Sequence, residues 1–196
     1  RRANGGFLSE KGINIDMTPV KSGERYFYVW SHRKNIGTPL DTGSMLMIAE
    51  FDPVHPERLI SEPKCLSRPL YGFENTEHTI NNEGPYAFYY HNKIYLAYSG
   101  GDARGYLYAI GMLTANDGDD LCDLSVWEKA KTPIASFATI PGEYGPGHNS
   151  FFWDRDQNLW IAYHAVTSFE EKIVSSGMRR VYFEQDKTPR FDVIVE

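Results

Sequence analysis

Only two of the 196 residues are cysteine, Cys65 and Cys122. That is too few for a disulfide framework and matches no zinc spacing, so the redox compartment stays open. No apolar run approaches the roughly 20 residues that a membrane-spanning helix needs. Basic residues are in the minority, 20 Lys+Arg against 26 Asp+Glu, and the formal net charge of −6 argues against nucleic acid or an anionic membrane as partner. Helical composition is confined to Asp119 to Lys129, a stretch too short and too broken to define a class. The glycines of Gly100-Gly101-Asp102-Ala103-Arg104-Gly105 have neither G-x-G-x-x-G nor P-loop spacing and read as an inter-strand loop, one that can line a cleft. Neither G-x-S-x-G nor H-E-x-x-H occurs, so the serine-esterase and zincin readings lose their signatures. The chain opens Arg1-Arg2-Ala3-Asn4 without Met and without a signal peptide, and the expectation is a portion of a longer chain.

What is abundant is aromatic and β-branched sequence. Aromatics make up 14% of residues, with tyrosine the commonest; most of them suit the packing of β-sheets, and flat faces of this kind also suit flat polar ligands. Short runs rich in Tyr, Val, Ile, Phe and Trp alternate with Gly, Asp, Asn and Pro clusters, which is strand-and-turn sequence. Arg25 to Ser31, Lys93 to Ser99 and Asn158 to His164 are three such strands, each after a polar turn. The turn Asp154-Arg155-Asp156-Gln157 is similar to the Asp-box of sialidase propellers, but a plain hairpin turn accounts for it.

Each of these strands follows another that carries one polar residue: Asp16 within Ile13 to Val20, Glu83, and His148 within Gly147 to Phe151. The three lie about 66 residues apart, and each precedes Trp30, Tyr98 or Tyr163 by about 15, which is a repeat. Third strands are expected at Ser44 to Phe51, Tyr106 to Leu113 and Arg179 to Glu184, and outer strands near Leu59 to Leu66, Ala130 to Ser136 and Phe191 to Val195. The units are then about 13–66, 79–136 and 147–195 within one partial domain, 1–196. Four antiparallel strands repeated radially make a β-propeller, whose innermost strands converge on the axis. That convergence gathers Asp16, Glu83 and His148 at one centre. Closed rings need at least about four blades, so this all-β chain is expected to hold about three blades of a larger ring.

Within Asn82-Glu83-Gly84-Pro85-Tyr86 the proline fixes its own φ and restricts the residue before it, which stiffens the chain around Glu83. A general acid needs such support, because proton transfer depends first on position; a surface glutamate at a strand end is the plainer reading of the same stretch. Of the six histidines, His148 alone has a repeat-based reason to face the axis. His32, His55, His78 and His91 are expected on the surface or in loops, and His164 in packing or behind the site.

Six stretches together resemble glycoside hydrolase family 43, five-bladed propeller enzymes that release arabinose or xylose from plant polysaccharides. They are Ile15-Asp16-Met17-Thr18 with Tyr28-Val29-Trp30-Ser31; Asn82-Glu83-Gly84-Pro85; Leu96-Ala97-Tyr98-Ser99-Gly100; Gly111-Met112-Leu113-Thr114; Tyr144-Gly145-Pro146-Gly147-His148-Asn149-Ser150-Phe151; and Ile161-Ala162-Tyr163-His164-Ala165. The resemblance implies a glycosidase of the arabinofuranosidase/xylosidase type, working by inversion on pentose-containing oligo- or polysaccharides, outside the cell or in the periplasm. It implies Glu83 as general acid and Asp16 as the carboxylate that orients the acid and raises its pKa. It implies His148 beside a calcium or other ion on the axis, and Arg180, or Arg179 in its place, reaching the sugar or the acid. Tyr86, Trp30 and Tyr98 are expected to line the sugar site.

An inverting glycosidase also needs a carboxylate base roughly 6.5–9.5 Å from the acid. In the family that aspartate lies on the first blade, about two repeats before the residue matching Asp16. It is therefore expected outside this chain, with the ring completed by further blades or by another chain. A carbohydrate-binding propeller fragment without catalysis is the alternative reading.

Overall fold

The structure is a computed structural model that describes residues 12–168, 170 and 173–192. Three antiparallel sheets follow one another along the chain, each with its strands in sequence order. The first contains β1 (Gly12–Ser22), β2 (Arg25–Lys34), β3 (Met45–Glu50) and β4 (Lys64–Ser67). A 3₁₀ turn, Gly72–Glu74, leads to a small hairpin of β5 (Asn75–Thr76) and β6 (Thr79–Ile80). The second sheet contains β7 (Asn82–Tyr90), β8 (Lys93–Gly100), β9 (Ala109–Asn116) and the two-residue β10 (Glu128–Lys129). The third contains β11 (Tyr144–Trp153), β12 (Leu159–Val166) and β13 (Val174–Arg180), followed by a hairpin of β14 (Tyr182–Phe183) and β15 (Pro189–Arg190). The first strands of the sheets meet, β7 touching both β1 and β11. The architecture is three consecutive blades of a β-propeller.

Burial explains why the middle blade has the most apolar sequence. β8 is buried along nearly its whole length because both of its faces are covered. Ile94, Leu96 and Tyr98 pack with Val20, Phe27, Val29, Leu46 and Ile48 of the first sheet. The alternate residues Tyr95 and Ala97 pack with Phe151, Leu159, Ile161 and Tyr163 of the third. Strand side chains alternate between faces, so a strand between two neighbours must be apolar at both parities. Among the described residues the outer sheets have one neighbouring sheet each, and the strands at their open sides alternate: the first six residues of β1 read intermediate, exposed in turn, and β13 reads exposed, intermediate, exposed throughout. The open faces are nevertheless partly apolar, with Ile13, Ile15 and Met17 exposed on β1 and Val174 and Met178 on β13.

Several boundaries differ from those read in the sequence. The third strand of the third sheet is Val174–Arg180, not Arg179 to Glu184, because Ser175, Ser176 and Gly177 form a ladder with β12 despite their low strand propensity. The third sheet has three strands among the described residues, and residues 193–195 of the expected outer strand lie outside them. In place of a strand over Ala130 to Ser136, β10 covers two residues and Ala135 makes an isolated bridge to Ile110. The helical content of Asp119 to Lys129 is the 3₁₀ turn Leu124–Val126, capped by Asp123, and its last two residues belong to β10.

Candidate active site

Each inner strand interrupts its ladder at the same place. β1 slips after Ile15, which pairs with Ser31; β7 slips after Glu83, which pairs with Ser99; β11 slips after Gly147, which pairs with His164. The residue after each of these is left-handed: Asp16 at φ 57°, Gly84 at φ 56° and His148 at φ 50°. A bulge of this kind re-aims the side chains around it. The spacing of polar residues had placed Asp16, Glu83 and His148 in one register, whereas the structural equivalents are Asp16, Gly84 and His148. Glu83 stands one residue earlier, and that offset changes what Asp16 does. Its Oδ2 accepts the backbone N–H of Gly84 at 3.1 Å, so Asp16 clamps the chain next to the glutamate.

Around this clamp the described polar groups converge. Ser31 Oγ lies 3.5 Å from the same Asp16 oxygen, and His148 Nε2 lies 3.9 Å from Asp16 Oδ1. The imidazole of His148 passes over Gly84, where a Cβ would sit 3.4 Å from Nδ1. Tyr108, fully buried, donates its hydroxyl to Glu83 Oε1 at 2.8 Å. Burial, and then the Glu83 charge, push the Tyr108 phenol well above its usual pKa, so it stays a donor. His164 stacks on Tyr108 with the rings 11° from parallel. Burial, and then the neighbouring His148, lower the pKa of His164, which keeps its ring neutral. Arg33 is gripped by Asp41 through two hydrogen bonds of 2.8 and 2.7 Å. These raise its pKa against burial, with a smaller pull from Glu83, which puts a fixed cation near Glu83.

Sequence reasoning missed Tyr108, Ser99 and Arg33. Tyr108 lies within an expected strand among many tyrosines, and nothing in its spacing marks it as a site residue.

Other expected site residues lie elsewhere. Tyr98 is wholly buried, and its hydroxyl donates to Glu74 Oε1 at 2.7 Å beneath the site, so it has no face to offer a sugar. Trp30 is 2% exposed, with its indole N–H on Asn14 Oδ1 at 3.0 Å, and it too is a packing residue. Both were read as lining residues because an aromatic residue at a regular spacing has the same sequence signature in a core as in a cleft. Tyr86 is exposed on β7, beside Phe151. Arg180 pairs with Trp160 at the far end of β13 from the His164 register and lies over the Tyr182 ring at 5.0 Å. Arg179 bonds Tyr163 Oη at 2.8 Å and Glu143 Oε1 at 3.0 Å. These bonds commit Arg179 to structure, whereas Arg180 is exposed and, among the described residues, makes only the ring contact.

Two of the buried tyrosines follow one plan. Tyr98 lies across Gly111 and Tyr163 across Gly177; each hydroxyl donates to a glutamate, Glu74 or Glu143, and each glutamate is paired with a cation, Lys129 or Arg179. A buried hydroxyl needs an acceptor and a buried carboxylate needs a cation, so the three residues satisfy one another.

Among the other histidines, His55, His78 and His91 lie exposed in turns. His32 does not: it is buried on β2 with Nδ1 2.7 Å from Asn14 Oδ1, because β2 is covered on both sides at this point. Asp154 folds the hairpin turn expected of it, accepting from the backbone of Asp156 and Asn158 and from the Trp160 indole. These bonds hold its pKa down at about 2.

The calcium implied beside His148 finds little to bind. Calcium takes six to eight oxygen ligands, whereas His148 offers a nitrogen and has one carboxylate near it. Among the described residues no group of three His, Cys, Asp or Glu side chains is arranged to hold a metal. The residues present do not fit this ion, and no chemical step is routed through it.

The fold and site compare with known proteins as follows. The extracellular exo-α-(1→5)-L-arabinofuranosidase of Streptomyces avermitilis is 28% identical over 192 residues, covering 93% of this chain and 38% of that protein. The enzyme of the same name from Streptomyces chartreusis is 34% identical over 154 residues, covering 78% of this chain and 45% of that protein. The crystal structure of an α-L-arabinofuranosidase from Lactobacillus brevis superposes with a TM-score of 0.78 at 28% identity, over 91% of this chain and 55% of that one. The chain thus spans about half the length of these relatives. The family model of the glycosyl hydrolases family 43 matches residues 5–189, and the chain belongs to that family.

Proposed function

We propose that this chain carries the leaving-group side of a glycosidase site that releases arabinofuranosyl groups from pentose-containing polysaccharides, with Glu83 as the general acid. The observation that supports it best is the double hold on Glu83: Tyr108 grips one carboxylate oxygen, and Asp16 grips the backbone N–H of the next residue. A proton donor has to be held to within a fraction of an ångström to be effective. In this reading Glu83 delivers its proton to the glycosidic oxygen as the bond breaks, and Asp16 keeps a negative charge and a fixed backbone beside it. Arabinose rather than xylose is favoured by the names of the three relatives. Action outside the cell is favoured by two of them.

Inversion also needs a base on the opposite face of the sugar. Neither of the other carboxylates near the site is free for that work. Glu143 is held by Tyr163 and Arg179, and Asp102 caps its own turn through the Arg104 N–H. In this reading the base comes from outside the described residues, and further blades cover the open apolar faces at Ile13, Ile15 and Met17 and at Val174 and Met178. A sugar-binding role without catalysis loses support, since Trp30 and Tyr98 are buried.

The test has two stages. The purified 196-residue chain should show no measurable turnover of aryl α-L-arabinofuranoside or aryl xyloside. In an active, longer form of the enzyme, Glu83→Gln should slow cleavage of natural linkages by about 10²–10⁴-fold and spare substrates whose leaving group needs no proton. Turnover by the short chain that Glu83→Gln abolishes would show that the base lies within it. An unaffected Glu83→Gln enzyme would remove Glu83 from the reaction.

A further inference from the structure

The pair of glycines in Gly145-Pro146-Gly147 is explained by a residue of the neighbouring blade. A Cβ on Gly147 would lie 2.1 Å from Cε1 of Tyr108, and one on Gly145 would lie 2.2 Å from the carbonyl oxygen of Gly105, in the loop leading to Tyr108. The Tyr108 ring therefore occupies the space that any other residue at 147 would need. It is closed on its other side by His164, with ring centroids 5.6 Å apart. A phenol seated so tightly has a fixed hydroxyl position.

The hydrogen bonds that reach this hydroxyl run in one direction. The backbone N–H of His148 donates to Ser99 Oγ at 2.8 Å. Ser99 keeps its own hydrogen to donate, and its hydroxyl acts on Tyr108 as a donor to the phenol oxygen would, pulling the phenol pKa down against burial. Tyr108 then gives its single hydrogen to Glu83 Oε1 at 2.8 Å. Each donor in such a chain polarises the next.

Resting on the reading of Glu83 as the acid, we propose that Tyr108 is its positioning residue, holding Oε1 and leaving Oε2 as the oxygen that carries and delivers the proton. A carboxyl that accepts at Oε1 keeps its own hydrogen on the other oxygen. The same bond favours the ionised carboxylate, and Arg33 acts in the same sense. The negative charge of Asp16 opposes them, while His148 and His164 face the site from the third blade.

The experiment follows the Glu83 carboxyl by carbon-13 NMR in the full chain labelled at glutamate Cδ, with the resonance assigned by its loss in Glu83→Gln. In Tyr108→Phe the midpoint of its titration should rise by about one pH unit, because a donor to the charged form has been removed. The other glutamate resonances should stay in place. An unmoved Glu83 midpoint in a natively folded Tyr108→Phe overturns the proposal. Should Tyr108→Phe fail to fold, Ser99→Ala removes the donor behind the phenol; a smaller upward shift is expected, and no shift overturns the proposal. The general-acid reading is judged separately, by whether Glu83→Gln discriminates between leaving groups in an active enzyme.

Discussion

Asp16 on the first blade and Gly84 on the second are joined by a hydrogen bond from the Gly84 N–H to Asp16 Oδ2, at 3.1 Å. Two blades are locked at the residue after the proposed acid, by a side chain whose own backbone is left-handed at φ 57°. Aspartate tolerates this conformation better than most residues, but it still carries a cost of about 1 kcal/mol or more. The bond and the strain together mark Asp16 as a positioning residue as much as an electrostatic one.

Two substitutions separate these roles in an active form of the enzyme. Asp16→Asn keeps an acceptor oxygen for Gly84 and removes the charge. It should retain part of the activity while the limb of the pH–rate profile governed by the acid moves to lower pH. Asp16→Ala removes the clamp as well and should lose about 10²-fold or more on natural linkages, since small misplacements cost orders of magnitude. A limb that stays put in Asp16→Asn would leave Asp16 with the clamp alone.

Below the site, Glu74 is fully buried, paired with Lys129, and accepts from Tyr98, from the Asn82 side chain and from the Tyr71 N–H. Asn82 immediately precedes Glu83. Burial lowers the Lys129 pKa while Glu74 holds it up. Breaking the pair by Lys129→Met should destabilise the chain by about 3–5 kcal/mol, because an uncompensated carboxylate is left inside. Adding Glu74→Gln to Lys129→Met should recover part of that loss. Urea unfolding of the two variants checks both, and a Lys129→Met midpoint equal to that of the parent would rule the pair out as a structural element.

His32 gives a prediction for pH. Burial, helped by the Lys34 charge, lowers its pKa in the folded chain. An unfolded histidine titrates near 6.5, so below that pH the unfolded chain takes up a proton that the folded chain refuses. The contribution is present above about pH 6.5 and is lost as pH falls from there to the folded pKa. Urea midpoints should therefore drop as pH falls below about 6.5, and His32→Gln should remove part of that drop, the rest belonging to His164. The carboxylates with depressed pKa, Asp41 and Asp154, act at lower pH, whereas His164 shares this window, so the comparison is made with His32→Gln against the parent.

The blade repeat was legible in the sequence because strands announce themselves locally, through apolar alternation and turn residues at fixed intervals. The spacing of Asp16, Glu83 and His148 gathers them at one centre, and in the structure the Asp16 side chain reaches the Gly84 N–H and lies near His148. Their one-residue offset was not legible, because a bulge adds a residue without altering composition. The outer strand of the second unit and the third strand of the third lie away from their expected positions for a related reason: β10 and β13 are held by ladders to their neighbours and carry little propensity of their own.

By itself, then, the chain's sequence determined the all-β class, the threefold repeat and the family to which it belongs, since each depends on residues near one another in the chain. Only the tertiary structure decided which aromatic residues serve the site. Trp30, Tyr98 and Tyr108 look alike as strand residues, and their roles diverge because of what faces them from other parts of the fold. Trp30 meets Asn14, Tyr98 meets Glu74, and Tyr108 meets the carboxylate of Glu83. A hydroxyl takes its chemistry from its acceptor, and these acceptors lie 24 and 25 residues away for the two tyrosines, brought within reach only by the fold.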